Sequence, residues 1–363
     1  MPNLIQSDDF RSIVLHNTPL IDVRAPIEFE KGAFPNAVNL PLMSDEERHL
    51  VGIEYKEKGN EAAVKLGHAL VKDDNKDTRV KAWTDFMQAN ADVKLYCFRG
   101  GERSKISQEW IAERNQDIVR LQGGYKAFRN YLMDETEQSI AHFKPYIIGG
   151  RTGSGKTILL HRLKNVIDLE GLADHRGSSF GRKIKGQPTQ IAFENALAYA
   201  LIQKLDRGFN TLLFEDEGEY IGRLYVPKQL AAYLKSAPLI ILETSTEERV
   251  AITFDEYVVK AQESYQEVYG SEALTKWSES IHAAMARIQR RLGGERYKTV
   301  CQIFDDAVSI QKSTASLEAY KTWVSYLLVE YYDPMYDYQI EKNRERIIFR
   351  GTAQEIEAFL KEK

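Results

Sequence analysis

Apolar residues in this chain fall into short runs that close on charge or glycine, separated by stretches with helical spacing. Pro19-Leu20-Ile21-Asp22-Val23-Arg24 reads as a buried strand ending in charge, and Gly32-Ala33-Phe34-Pro35-Asn36-Ala37-Val38-Asn39-Leu40 as a turn followed by a strand. Residues 93–96 and 118–121 predict two more strands, the second closing on Gly123-Gly124. Helical spacing covers residues 61–71, 80–88 and 106–111. Strands alternating with helices predict a parallel sheet covered by helices, an α/β domain over residues 1–133. Polar residues 134–143 read as a linker.

The pattern restarts at Tyr146-Ile147-Ile148, which opens a second α/β domain expected over residues 144–363. A helical run (Ile158, Leu159, Leu160, Leu163) follows. Residues 211–214 and 239–242 are apolar strands that close on acids, Glu215-Asp216-Glu217 and Glu243. From about 247 to 342 the pattern is helical and rich in aromatics: Trp277, Tyr320, Trp323, Tyr326, Tyr331, Tyr332, Tyr336 and Tyr338. Such a stripe packs a helix core more often than it stacks bases. Residues 347–351 read as a last strand and 353–360 as a helix.

Composition narrows the function classes. No apolar stretch approaches the ~20 residues of a membrane span, and Met1-Pro2-Asn3-Leu4-Ile5 lacks a signal-peptide pattern. Two distant cysteines fit a reducing compartment, so a cytoplasmic protein is expected. Cys301 reads as a core position, and no Cys/His cluster has zinc spacing. A net charge of −4 does not advertise a nucleic-acid binder, so RNA affinity would rest on a local basic face. Residues 287–298, with Arg290 and Arg291, are the candidate.

Two segments carry chemistry. Cys97-Phe98-Arg99-Gly100-Gly101-Glu102-Arg103-Ser104 lies between a predicted strand and a predicted helix. A tight glycine loop at that junction turns successive N–H groups inward to cradle an anion, and such surroundings favour a thiolate nucleophile. Arg99, Gly100, Gly101 and Arg103 are the expected anion contacts around Cys97. Gly150-Arg151-Thr152-Gly153-Ser154-Gly155-Lys156-Thr157 is a complete G-x-x-x-x-G-K-[ST] loop after a strand and before a helix, the context a P-loop requires. Its glycines let backbone wrap a di- or triphosphate, Lys156 reaches the terminal phosphate, and Thr157 can ligate Mg²⁺. Glu215 and Asp216 are the candidate Walker B-type acids, with Thr157 and Asp216 the metal contacts if Mg²⁺ is used. His175-Arg176-Gly177-Ser178-Ser179-Phe180-Gly181 reads as a substrate-facing loop, with Arg176, Ser178 and Ser179 as contacts.

The first domain resembles the rhodanese fold, on Asp22-Val23-Arg24-Ala25-Pro26-Ile27-Glu28-Phe29, the Gly32 to Pro41 segment, the Cys97 loop and Leu121-Gln122-Gly123-Gly124-Tyr125. Together with the P-loop domain the whole chain resembles the tRNA 2-selenouridine synthases. Pro41-Leu42-Met43-Ser44-Asp45-Glu46-Glu47-Arg48, the residues 168–181 and Tyr331-Tyr332-Asp333-Pro334-Met335-Tyr336 add to that resemblance. It implies a tRNA-modifying transferase acting on wobble 2-thiouridine. Geranyl diphosphate first alkylates the sulfur, and selenophosphate then supplies selenium. The resemblance gives Cys97 the role of selenium carrier, as a selenosulfide, and the P-loop that of gripping diphosphate, with no tightly bound cofactor. Asp22 and Arg24 are either part of the cysteine mouth or a structural ion pair.

Two other readings stay open on the residues alone. The C-x5-R spacing from Cys97 to Arg103 also fits a cysteine-dependent phosphatase fused to an NTPase. A nucleotide-gated RNA-binding module with a vestigial cysteine is the non-enzymatic alternative.

Overall fold

The computed structural model describes residues 6–181 and 183–362, which form two compact units. The first unit runs to His142 and takes in Pro188–Phe209; the second comprises Phe143–Gln187 and the chain from Asn210 onward.

The first unit is built on five parallel strands: β1 (Gln6–Ser7), β2 (Leu20–Asp22), β3 (Ala37–Asn39), β4 (Lys94–Tyr96) and β5 (Val119–Leu121), in the order β1-β5-β4-β2-β3. The four predicted strands are all present. β2 is buried throughout, β4 and β5 for most of their length, while β3 at the sheet edge leaves Val38 exposed. Ile21, Val23, Leu95, Trp83 and Ile111 fill one face, and Leu20, Tyr96, Leu121, Phe128 and Leu132 the other. β4 ends at the Cys97 loop, and the helix Glu102–Ala112 follows.

The segment read as a linker is helical. The helix Gly124–Ser139 runs through it and a 3-10 turn, Ile140–His142, completes it. Thr136 and Ser139 are buried in that last stretch, and their hydroxyls donate to the carbonyls of Leu132 (2.8 Å) and Thr136 (2.8 Å). Hydroxyls that bond back into their own helix remove the polarity that marked the segment as a linker. The second departure from a simple two-domain division is the helix Gln190–Asp206, which belongs to the first unit. Its Asn195 accepts from Arg129 (2.7 Å) and donates to the Ala33 carbonyl (2.8 Å), while Ala198, Tyr199 and Ile202 join the core around Phe128.

In the second unit β6 (Lys144–Gly149), β7 (Val166–Ile167), β8 (Thr211–Glu215), β11 (Leu239–Leu242) and β12 (Ile347–Gly351) form a parallel sheet ordered β12-β11-β6-β8-β7. A short antiparallel ribbon, β9 (Tyr220–Ile221) with β10 (Leu224–Tyr225), lies apart from it. The aromatic helical region is a packed bundle. Trp277, Phe304, Tyr320 and Trp323 lie at its centre, with ring centroids 5.1–5.7 Å apart. Tyr338 is exposed, so the stripe is core for most of its members. Cys301 is half-buried against the same core.

Asp22 and Arg24 form a buried ion pair at 2.6 Å. Arg24 also donates to the Gly32 carbonyl (2.9 Å) and lies 3.9 Å from the Tyr125 ring centroid. The pair ties β2 to the turn before β3 and is structural. Arg24→Ala strands a buried carboxylate, so a loss of about 3–5 kcal/mol is expected. Urea unfolding reads it directly; a loss below about 1 kcal/mol would mean the pair does not brace the sheet.

Candidate active sites

The Cys97 loop takes its shape from a second glycine turn. Gly100 has φ +66°, and a Cβ on it would sit 2.9 Å from the Gly123 nitrogen and the Leu121 oxygen. Gly124 has φ +58°, and a Cβ there would lie 2.3 Å from the Cys97 carbonyl oxygen. The two turns therefore meet backbone to backbone, which only glycine permits. The N–H groups of Tyr125 and Lys126 donate to the carbonyls of Cys97 (2.9 Å) and Phe98 (3.0 Å), and Arg120 donates to that of Gly100 (2.6 Å).

Cys97 is buried at the base of this loop, its thiol 3.2 Å from the Ser104 hydroxyl, which donates to the Gly101 carbonyl at 3.0 Å. Ser104 was not singled out in the sequence; its place in the first turn of the following helix was the available signal. Arg99 is exposed on the loop. Arg103 is turned to Glu28, with contacts of 2.5 and 3.1 Å, and Arg48 reaches the same carboxylate at 3.2 Å. Burial raises the Glu28 carboxyl, but the two guanidiniums outweigh it and hold its pKa below the usual range. A cavity of about 720 Å³ opens from Cys97 and is lined by Arg99, Gly101, Arg103 and a largely apolar wall.

The P-loop follows β6 as predicted, but its helix is a single short one, Lys156–Leu160, so Leu163 lies beyond it. Gly150, Gly153 and Gly155 adopt φ +145°, +76° and +84°. Lys156 curls back to donate to the Gly150 carbonyl at 3.0 Å. Arg151 points away to Asp337 (2.7 Å). The loop is braced by residues the sequence did not mark. Arg249 is buried, donates to the Thr152 carbonyl (3.0 Å) and grips Asp333 at 2.5 and 3.1 Å; Thr244 donates to the Ser154 carbonyl (2.8 Å). The Ser154 hydroxyl is buried without a partner.

Of the two acids at the end of β8, it is Glu215 that faces Thr157, whose hydroxyl donates to it at 3.1 Å. Asp216, the other candidate acid, lines a cavity with Gly150 and Glu217. Glu215 also accepts from the Glu170 N–H (3.2 Å). Burial, with Glu170 and Asp168 nearby, pushes its pKa up to about 7. Burial and the neighbouring Glu217 push Glu170 up to about 9, and burial raises Glu217 as well. Gly177 covers the pair; a Cβ there would fall 2.1 Å from one Glu170 oxygen and 2.6 Å from one of Glu217.

That contact fixes the loop 175–181 beside the P-loop acids. Its arginine is committed to protein partners: Arg176 donates to Glu256 (2.9 Å), with its guanidinium 5.4 Å from the Tyr257 ring centroid. Ser178 pairs with the Tyr257 hydroxyl (3.0 Å), and the Ser179 carbonyl accepts from Arg287 (2.7 Å). Arg290 and Arg291 lie exposed in the last turn of the helix Ala273–Leu292.

Residues 8–131 match the rhodanese-like domain family, and residues 143–363 match the family described as the tRNA 2-selenouridine synthase AAA domain. A tRNA 2-selenouridine synthase from Sulfurovum sp. (strain NBC37-1) is 68% identical over the full length of both chains. The enzyme of that name from Hydrogenovibrio crunogenus is 51% identical over 98% of each chain. The one from Alcanivorax borkumensis is 45% identical over 97% of this chain and 98% of its own. The chain belongs to the tRNA 2-selenouridine synthase family and is an enzyme. No helix among the described residues is long and apolar enough to cross a membrane.

The raised pKa of Glu215 sets a pH dependence. Between about pH 5 and 7 the folded chain keeps a proton that the unfolded chain has already lost, so stability falls as pH rises through this window. Glu215→Gln removes that contribution. Melting curves from pH 5 to 8 are expected to show a shallower decline, by up to about 3 kcal/mol; an unchanged slope would place the titration elsewhere.

Proposed function

We propose that this enzyme converts wobble 2-thiouridine in tRNA to 2-selenouridine in two steps, using geranyl diphosphate and then selenophosphate. The carrying observation is the presence of two anion cradles of different chemistry in one chain. One is set over a buried thiol, and the other has a lysine folded onto its own carbonyls.

In the first step the P-loop holds the diphosphate. Lys156 exchanges the Gly150 carbonyl for phosphate oxygens, and the glycine N–H groups stabilise the charge of the departing diphosphate while the uridine sulfur attacks the allylic carbon. The cavity of about 480 Å³ beside Gly150, walled by Leu169, Val226, Leu234 and Tyr336, suits the isoprenoid tail. Mg²⁺ takes one or two protein oxygens plus substrate phosphates. Thr157 and Glu215 are oxygens of that kind, and Glu215 becomes a better ligand as it deprotonates above pH 7.

In the second step the Cys97 thiolate acts at C2 of the alkylated base, with Arg99 and the loop N–H groups on the selenophosphate anion. A phosphatase would need Arg103 free to grip a phosphate on the thiol, and Glu28 neutralises it here. Binding of tRNA draws on exposed cations such as Arg290 and Arg291, and this work belongs in the cytoplasm. Nucleoside analysis of bulk tRNA from cells with and without the protein tests the whole reading: 2-selenouridine is expected only where the protein is present.

Two substitutions separate the steps. Cys97→Ser is expected to abolish selenium incorporation and to leave the geranylthio product intact, seen by mass spectrometry of the reacted tRNA; loss of both products would break the division. Lys156→Ala is expected to slow geranylation by roughly a hundredfold or more. Turnover at the wild-type rate would assign the P-loop another ligand.

A further inference from the structure

The wall of the Cys97 cavity is a helical hairpin that buries little of itself, with Val51 and Leu70 as partly buried contacts with the core. The helix Asp45–Lys58 buries none of its residues, and the helix Asn60–Leu70 buries only Ala63. The hairpin is nonetheless carefully held. Ser44 and Glu47 form a reciprocal cap, Arg79 grips Glu47 at 2.7 Å, and Gly59, at φ +86°, makes the turn between the helices. Its apolar side chains Val51, Ile53, Tyr55 and Val64 line the cavity, opposite Ile106 and Trp110. Ile53 and Tyr55 remain 41% and 57% exposed, a cost in water that packing within the unit does not offset.

Handling one selenium atom and a small oxyanion needs the loop and not this space. At about 720 Å³ the cavity has the size of a small-molecule site. Its interior is apolar and its lining carries Lys56 and Arg99 beside Glu102, while Arg48 and Arg103, also in the lining, are both turned to Glu28. That combination fits a ligand with a hydrocarbon tail and a phosphate-bearing head. Two sources share this chemistry: a free prenyl diphosphate, and a nucleotide in RNA bearing a prenyl thioether. The position of Cys97 at the cavity favours the second, because the carbon that receives selenium must approach the thiol while the tail lies beyond it.

Resting on the two-step reading above, we infer that the cavity between this hairpin and the Cys97 loop is the seat of the thioether's prenyl chain during selenium transfer. The site thereby selects alkylated over free 2-thiouridine. The step is a displacement. The Cys97 thiolate bonds to C2 as the C2–S bond breaks and its electron pair leaves on the prenyl thiolate, which takes a proton; selenium from selenophosphate then bonds to C2 and displaces the Cys97 thiolate. Water then cleaves the Se–P bond, releasing phosphate. No oxidant or reductant is consumed. Seating the tail holds C2 against the thiol, so the chain length of the leaving group controls the rate.

The test compares selenium transfer to RNA oligonucleotides bearing S-geranyl- or S-methyl-2-thiouridine, using selenophosphate and full-length enzyme. Val64→Phe fills the cavity, and Val51→Phe does so from the other helix should the first variant misfold; melting curves establish folding. The expected result is a kcat/KM loss on the geranyl substrate at least roughly tenfold greater than on the methyl substrate. Equal losses on both substrates in a folded variant would overturn the inference. Geranylation of 2-thiouridine RNA from geranyl diphosphate is expected to persist in Val64→Phe, and its loss would give the cavity to the free diphosphate instead. Wild-type enzyme that fails on S-geranyl RNA would overturn the two-step reading itself, an outcome distinct from a wild type that works with no discrimination by the variants.

Discussion

A loop that is to hold an anion with its backbone N–H groups cannot use them to hold itself. Its shape must be imposed through its carbonyls and from outside. Both loops of this enzyme are held mainly through their carbonyls, although the Ser154 N–H donates within its own loop to the Arg151 carbonyl (3.1 Å). Around Cys97 the carbonyls of residues 97, 98, 100 and 101 accept from Tyr125, Lys126, Arg120 and Ser104. In the P-loop those of Thr152 and Ser154 accept from Arg249 and Thr244, and that of Gly150 from Lys156. Much of the surrounding structure follows. Arg249 can reach Thr152 only because Asp333 compensates its charge in the interior, and that gives the Tyr331 to Tyr336 segment a role besides filling the bundle core. In the first unit the chain after β5 must turn at Gly123-Gly124 to present its N–H groups to Cys97 and Phe98.

The acids beside the P-loop are arranged by the opposite logic. Glu170, Glu215 and Glu217 are brought together beside the end of β8, where burial disfavours their charged forms. Lys156 is the cation near them and lies against carbonyls of its own loop. A diphosphate that draws Lys156 forward changes the field on Glu170 and Glu217, so ligand binding and protonation are linked. Gly177 seals this cluster, which couples the loop 175–181 to the same chemistry without requiring Arg176 to touch a phosphate.

The β4 strand, the Cys97 loop, the P-loop, the acidic end of β8 and the aromatic core of the bundle were all legible in the sequence. Each is local: a short apolar run followed by glycines admits few backbone paths, and aromatic residues at helical spacing must be covered. What the tertiary structure alone decided is which side chains those local elements meet. Arg103 and Arg176 look identical in sequence to anion-binding arginines, yet Glu28 and Glu256, far away along the chain, neutralise them. Asp216 and Glu215 are adjacent, and the fold brings the Thr157 hydroxyl to Glu215. The helix Gln190–Asp206 carries ordinary helical spacing, and only its fit against Phe128 and Arg129 returns it to the first unit. Periodicity fixes which face of an element is apolar, but partnering depends on shape and charge at long sequence separation, which no local pattern records.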